Sequence, residues 1–158
     1  MQFRITSSGQ GRSDVGWTTP AEDYAEMLPA VEGLMPGDVL VIGLDGKLRL
    51  STQAYQANVM GVYSTQPGFI GGYPVEGPAV GTIPLAMVGV VPVKVCAENG
   101  PIQPGDLLTT SSIPGRAMKA SPLTLNGIRF YPGGVMIGKA MERLEAGEGV
   151  ILVLVTLQ

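Results

Sequence analysis

Carboxylates are the side chains of this sequence best suited to chemistry. The 158 residues include no histidine and a single cysteine, which excludes Ser-His-Asp and Cys-His catalysis, imidazole bases and thiolate metal clusters. Asp23 and Glu26 stand three positions apart, a spacing that puts both carboxylates on one face of a helix. Two neighbouring carboxyl groups can divide acid and base work, because proximity raises the pKa of one of them. The alternative is a purely structural role, in which acidic residues complement the dipole of a helix's first turns.

A helix is the element predicted to position this pair. Thr19-Pro20-Ala21-Glu22 fits a capping box, with Thr19 as N-cap and proline at the first helical position. The helix is expected to run through Leu28 and to stop at Pro29, because proline disfavours a helical residue before it.

The pattern of the rest of the chain predicts strands. Val39 to Ile42 and Lys47 to Leu50 flank an Asp-Gly hairpin tip at 45–46. Val59 to Tyr63 and the long apolar run Ile83 to Val95 predict two further strands, the second bent at Gly89 or Pro92. With 23 glycines and 13 prolines as punctuation, the sequence predicts a mainly-β fold with one short N-terminal helix.

The order of these elements recurs along the chain. Pro36-Gly37-Asp38 is matched by Pro104-Gly105-Asp106, and the strands that follow repeat in the same sequence up to the closing run 150–157. In each turn Pro-Gly sets the bend and Asp caps the amides. We expect a polar lead-in or assembly arm over 1–18 and a single β-rich domain over 19–158. Pseudo-repeats at about 34–95 and 102–158 would form a β-sandwich or barrel.

Neither a cofactor nor a metal is predicted. The glycine-rich segment Gln66 to Gly72 lacks a dinucleotide or phosphate-loop pattern, and Asp45-Gly46 lacks the further oxygen ligands of a calcium loop. Cys96 follows an apolar strand, which favours a buried small hydrophobic residue.

Charge and hydropathy limit the classes of partner that this chain is expected to bind. Charged residues are only 15% of the chain, the net charge is −3, and the ten Lys and Arg are scattered singly. No nucleic acid is therefore expected. The first ten residues carry no visible signal peptide, and no apolar run is long enough for membrane insertion. So few charges favour a homo-oligomer that covers much of its surface with other subunits.

Four segments carry a resemblance to a known family: Asp23-Tyr24-Ala25-Glu26-Met27, Pro36-Gly37-Asp38-Val39, Asp45-Gly46-Lys47-Leu48, and Gly61 to Gly72. Together they resemble the C-terminal intramolecular-chaperone domain of phage neck-appendage and tail-fibre proteins, a glutamic-type self-cleaving peptidase family. The match is strongest over residues 20–72 and thins over 83–158.

The resemblance implies a β-rich domain that trimerises and helps an upstream fibrous region to fold. In some members the chain is cut before the Asp of the Asp-Tyr-Ala-Glu block. Carried over by position, the scissile bond is Glu22–Asp23 and the catalytic pair is Asp23 and Glu26, one activating water and the other protonating the leaving nitrogen. Glu22 stands where we expect a small residue and only 22 residues precede the cut, so a structural module is favoured over an active protease.

The leading hypothesis is a trimeric assembly module of a phage-like appendage or surface fibre, located on a virion or extracellular appendage, with self-cleavage before Asp23 as a further activity. Its partners would be other copies and an upstream fibre or other virion or surface protein. The alternative is a virion or surface decoration protein that binds a lattice or a glycan without catalysis. Its loose glycan-binding candidates are Trp17, Tyr55, Tyr63 and Tyr73.

Overall fold

The structure, a computed structural model, describes residues 3–5, 7, 11–13, 22–73, 77 and 80–156. Within these residues every regular element is a β-strand and there is no helix. The mainly-β class predicted from turn residues and alternating apolar positions is therefore confirmed. The strands are β1 Phe3–Ile5, β2 Gly11–Ser13, β3 Asp23–Pro29, β4 Val39–Ile42, β5 Leu48–Leu50, β6 Val59–Tyr63, β7 Phe69–Gly71, β8 Thr82–Cys96, β9 Leu107–Thr110, β10 Ala117–Lys119, β11 Leu123–Leu125, β12 Ile128–Phe130, β13 Met136–Ala140 and β14 Glu148–Thr156.

The predicted N-terminal helix is wrong over the residues that can be compared. Residues 23–29 form β3, which pairs in antiparallel fashion with β8 and in parallel with β7. Hydrogen bonds to two neighbouring strands satisfy the backbone groups that a helix would have satisfied internally. Tertiary pairing thus overrides a local capping pattern. Thr19 and Pro20, which carried that pattern, lie outside the described residues.

The second half of the chain closes into a five-stranded barrel. The strand order is β8, β14, β13, β9 and β10, and the parallel contact between Val95 and Ala117 joins β10 back to β8. Alternate residues point inward, so that Val93, Ile137 and Val153 are fully buried in the core of this barrel.

The first half repeats this order of pairings. β8 pairs with β6, β6 with β4 and β4 with β5, while β3 lies on the other side of β8. A parallel bridge between Ala30 and Leu48 stands where Val95 and Ala117 join in the other half. β8 belongs to both halves, and a second core forms around Leu40, Leu48 and Leu85. The duplicated strand units predicted from the sequence are present, while the domain boundaries stay a prediction.

The two Pro-Gly-Asp turns that revealed the duplication have matching geometry. Asp38 Oδ2 accepts a hydrogen bond from the Met35 amide at 2.7 Å, and Asp106 Oδ2 accepts one from the Gln103 amide at 2.8 Å. Gly37 and Gly105 take φ values of 86° and 91°, which a side chain would strain. The predicted amide-capping role of both aspartates is confirmed.

Two further observations concern burial and membranes. Cys96 is buried at the end of β8, as its position after an apolar run predicted. No helix in the described part of the chain is long and apolar enough to cross a membrane.

Candidate functional site

The two predicted catalytic carboxylates lie on β3, but on opposite faces of it. Side chains alternate along a strand, so Asp23 and Ala25 share one face while Tyr24 and Glu26 share the other. The first face is buried; the second is half-exposed. Within one chain the structure therefore does not bring Asp23 and Glu26 together as a face-sharing pair, because that geometry required a helix.

Asp23 is a buried carboxyl group without a complete set of partners. Asp23 is only 5% exposed, and its Oδ2 atom makes no hydrogen bond within the described residues. Burial raises the pKa of Asp23 above its ordinary value, while the Ser64 hydroxyl and the amides of Asp23 and Gly68 oppose this rise. Ser64 Oγ is itself buried and makes no hydrogen bond that meets ordinary geometry within the described residues. The pair is thus close enough to interact electrostatically and still has unfilled hydrogen-bonding capacity.

The peptide bond before Asp23 packs directly on β8. Asp23 pairs with Gly89, whose φ is 120°. A Cβ atom added at Gly89 would lie 2.6 Å from Asp23 Cα and closer still to the Glu22 carbonyl oxygen. Glycine is therefore required here for a close approach of two backbones. The Glu22 side chain, in contrast, is exposed.

Glu26 belongs to a small polar and aromatic cluster on the other face of β3. Tyr24 Oη donates a hydrogen bond to Glu26 Oε1 at 2.7 Å, and the Tyr24 ring stacks on Phe69 with centroids 5.4 Å apart. The bond to Glu26 is the main cause that raises the pKa of Tyr24. An added Cβ at Gly71 would meet both Tyr24 Oη and Glu26, so the β7 backbone fits closely over this cluster.

This arrangement sets what each carboxyl group can do. A buried carboxyl group with a raised pKa retains its proton more readily, and the Asp23 side chain is adjacent to its own backbone nitrogen, the leaving atom of a cut at Glu22–Asp23. Glu26 is already held by Tyr24 on the opposite face. Among the described residues, no three His, Cys, Asp or Glu side chains cluster in a way that could hold a metal ion.

The aromatic residues considered for glycan binding are placed separately. Tyr63 packs beside the core around Leu40, and Tyr55 Oη accepts a hydrogen bond from the Ser121 amide at 2.8 Å. Tyr73 is 50% exposed. Trp17 lies outside the described residues.

Sequence reasoning missed two features. Ser64 is distant from Asp23 in the chain, and only the fold brings its hydroxyl beside the carboxyl group. The second feature is the β11–β12 hairpin, for which a signal existed: Asn126-Gly127 between two alternating apolar runs is a strong hairpin pattern. Both turn residues take positive φ values, 51° and 79°, as that turn requires.

Comparisons with known proteins identify a structural neighbour that shares the fold. No protein-family model matches the chain, and no curated protein matches its sequence. A solved structure does match: the crystal structure of the pre-mature bacteriophage phi29 gene product 12, with a TM-score of 0.66 and 14% sequence identity. The match covers 98% of this chain and 24% of that chain, so this chain spans about a quarter of that protein's length. At this identity the similarity shows a shared fold.

Proposed function

We propose that this chain is a homo-oligomeric assembly module of a phage-like appendage or surface fibre, and that its working form is a trimer. The observation that carries the proposal is the match of nearly the whole chain to one part of a bacteriophage gene product. On this proposal the domain acts beside a longer structural region, on a virion or an extracellular appendage. Its partners are other copies of itself and the fibre that it helps to assemble.

The surface of the chain supports oligomerisation. Charged residues are 15% of the sequence, against about 25% in ordinary globular domains. Large apolar side chains are also exposed outside the barrel cores, among them Phe69, Val88, Ile128 and Val150 at 50% or more. Exposed large apolar side chains of this kind, together with the low charge, favour contacts with other protein molecules.

The test is the mass in solution across a range of protein concentrations. The proposal predicts a stable species of about three times the 16.4 kDa chain mass. A monomer at micromolar concentration would contradict it and would favour a decoration protein that works without self-association.

A second candidate function, self-cleavage at Glu22–Asp23, is favoured by one observation: a buried carboxyl group with an unpartnered oxygen adjoins that bond. In this proposal water adds to the Glu22 carbonyl carbon, the protonated Asp23 side chain gives its proton to the leaving nitrogen as the C–N bond breaks, and the Asp23 carboxylate takes up the proton that the added water loses. The products are a carboxylate at Glu22 and an amino group at Asp23. Tethering supplies the proximity, so no substrate pocket is needed.

Intact mass and N-terminal analysis after prolonged incubation test this candidate. We expect a fragment beginning at Asp23. Its rate of formation should fall by about a hundredfold or more in Asp23→Asn and should not change in Glu32→Gln, which alters an exposed control carboxylate. The Glu26→Gln variant tests whether the Tyr24 and Glu26 cluster takes part in the cleavage. An intact wild-type chain after incubation would overturn self-cleavage and leave the assembly role untouched.

A further inference from the structure

Ser64 follows β6 and carries an enclosed hydroxyl group. The residue is 1% exposed, and its Oγ atom has no hydrogen-bond partner of good geometry in the described part of the chain. A buried hydroxyl in this state is costly, because it has lost its hydrogen bonds to water and gained none in return. Such a group has to be explained by a function or by a partner that it gains.

The loop over residues 64–68 crosses the sheet. Ala86 of β8 pairs with Ala25 on one edge and with Val62 on the other, so β3 and β6 flank β8. Tyr24 of β3 pairs with β8 on one edge and with β7 on the other. The chain must therefore pass across both β8 and β3 between the end of β6 and the start of β7.

Both ends of this loop are fixed by backbone hydrogen bonds. The Ser64 amide donates to the Pro84 carbonyl oxygen at 2.9 Å, and the Gly68 amide donates to the Asp23 carbonyl oxygen at 2.8 Å. The loop therefore holds the Ser64 hydroxyl at a defined place beside the buried Asp23 carboxyl group. After burial, this hydroxyl has the largest effect on the pKa of Asp23, which it acts to lower.

The unpartnered atoms of the two side chains complement each other. Asp23 Oδ2 is a buried oxygen without a hydrogen bond, and the Ser64 hydroxyl is a buried donor without an acceptor, among the residues that the structure describes. A hydrogen bond from the hydroxyl to Oδ2 satisfies both atoms at once. A protonated carboxyl group accepts at one oxygen and donates from the other, so a donor at Oδ2 assigns the proton to the opposite oxygen.

We propose that Ser64 is a positioning residue for the cut before Asp23: its hydroxyl donates to Asp23 Oδ2 and so directs the carboxyl proton toward the leaving nitrogen. The inference rests on the proposed self-cleavage and adds a residue that acts through Asp23. Ser64 keeps its own proton throughout. Once the Asp23 proton is on the nitrogen and the C–N bond has broken, the hydroxyl still donates to the new carboxylate, until that carboxylate takes up the proton that the added water loses.

Cleavage kinetics test this role, with intact mass following the fragment that begins at Asp23. We expect Ser64→Ala to slow its formation by about tenfold or more, which is the worth of one hydrogen bond to a carboxyl group. Ser64→Cys keeps a side chain of similar shape but only a weak donor, so it should be slow as well.

Ser51→Ala is the matched control. Ser51 is also fully buried, and its Oγ atom also lacks a hydrogen bond within the described residues. It lies after β5, where its carbonyl oxygen accepts a hydrogen bond from the Gly115 amide at 2.9 Å. This variant removes the same atom from a comparable environment and should cleave at the wild-type rate.

The pH profile separates positioning from a loss of packing. Cleavage needs the protonated Asp23 carboxyl group, so the wild-type rate should fall as the pH rises through the pKa of Asp23. Removing the Ser64 hydroxyl takes away a group that lowers this pKa, so in Ser64→Ala the fall should occur at higher pH. An unshifted profile, a wild-type rate in Ser64→Cys or equal slowing in Ser51→Ala would each contradict the positioning role.

The same experiment distinguishes this inference from the proposed cleavage. A wild-type chain that cleaves, with Ser64→Ala cleaving at the same rate and with the same pH profile, would overturn the role of Ser64 alone. A wild-type chain that stays intact would overturn self-cleavage and the role of Ser64 together.

Discussion

Gly89 gives the sharpest stability test of the geometry around Glu22–Asp23. In Gly89→Ala the new methyl group would lie 2.6 Å from Asp23 Cα, 2.9 Å from Asp23 Cβ and closer still to the Glu22 carbonyl oxygen. Two of these three atoms are backbone atoms held by the β3–β8 pairing, so they cannot swing aside as a flexible side chain would. The substitution must push β3 away from β8 or distort Gly89 itself.

The magnitude follows from two costs. A φ of 120° at Gly89 is unfavourable for a residue with a side chain by about 1 to 2 kcal/mol. Forcing a methyl group into a filled space costs about 1 to 3 kcal/mol more. We therefore expect Gly89→Ala to lower the free energy of unfolding by about 2 to 5 kcal/mol.

Gly100→Ala is the matched control. Gly100 also has a positive φ, 87°, but no heavy atom lies within 4 Å of its added Cβ, so the control carries the conformational cost without the clash. Equilibrium urea unfolding followed by far-ultraviolet circular dichroism, at one fixed protein concentration, gives both values. A difference of about 2 kcal/mol displaces the unfolding midpoint by about 1 M urea. Two variants whose unfolding free energies agree within about 0.5 kcal/mol would refute the close packing of β3 on β8.

Three further predictions concern other parts of the structure. Lys94→Met leaves Asp38 without the Nζ partner at 2.6 Å in a mostly buried ion pair, so we expect the free energy of unfolding in urea to fall by about 2 to 4 kcal/mol. Lys119→Met removes the more exposed ion-pair partner of Asp106, the aspartate of the other turn, and should cost about 1 kcal/mol or less. Burial raises the pKa of Asp23 above 3.8, so the stability linked to its protonated form is present at low pH and lost as the pH rises through the folded-state pKa. Asp23→Asn should therefore gain stability relative to wild type as the pH rises above about 4, and a difference that does not change with pH would contradict the burial. Tyr24→Phe keeps the stacking on Phe69 and removes the hydrogen bond to Glu26; thermal unfolding should show a loss of about 1 kcal/mol, and a gain would argue against that bond.

Much of the fold could be predicted because local patterns and tertiary pairing agree there. The runs at 39–42 and 59–63 and the long strand through Val93 alternate or stay apolar as their burial requires. The two Pro-Gly-Asp turns repeat because each needs a glycine at positive φ and an aspartate that caps amides. These demands are local, so they are visible in the sequence.

The helix prediction failed because it rested on a local sequence pattern, whereas the strand is stabilised by pairing with segments distant in the chain. A capping pattern and acidic residues favour a helix near Asp23, yet β3 fills the place between β7 and β8 in the sheet. The change from helix to strand also changed the candidate site. Spacing of three unites two side chains on a helix but separates them on a strand, so Asp23 became buried and Glu26 faces Tyr24 instead.

The central claim is that this β-fold works as an assembly of identical copies, and sedimentation velocity of the wild-type chain tests it most directly. The assembly proposal predicts a species near 49 kDa, three times 16.4 kDa, that persists on dilution to micromolar concentration. A single species of 16.4 kDa at the same concentration would contradict it.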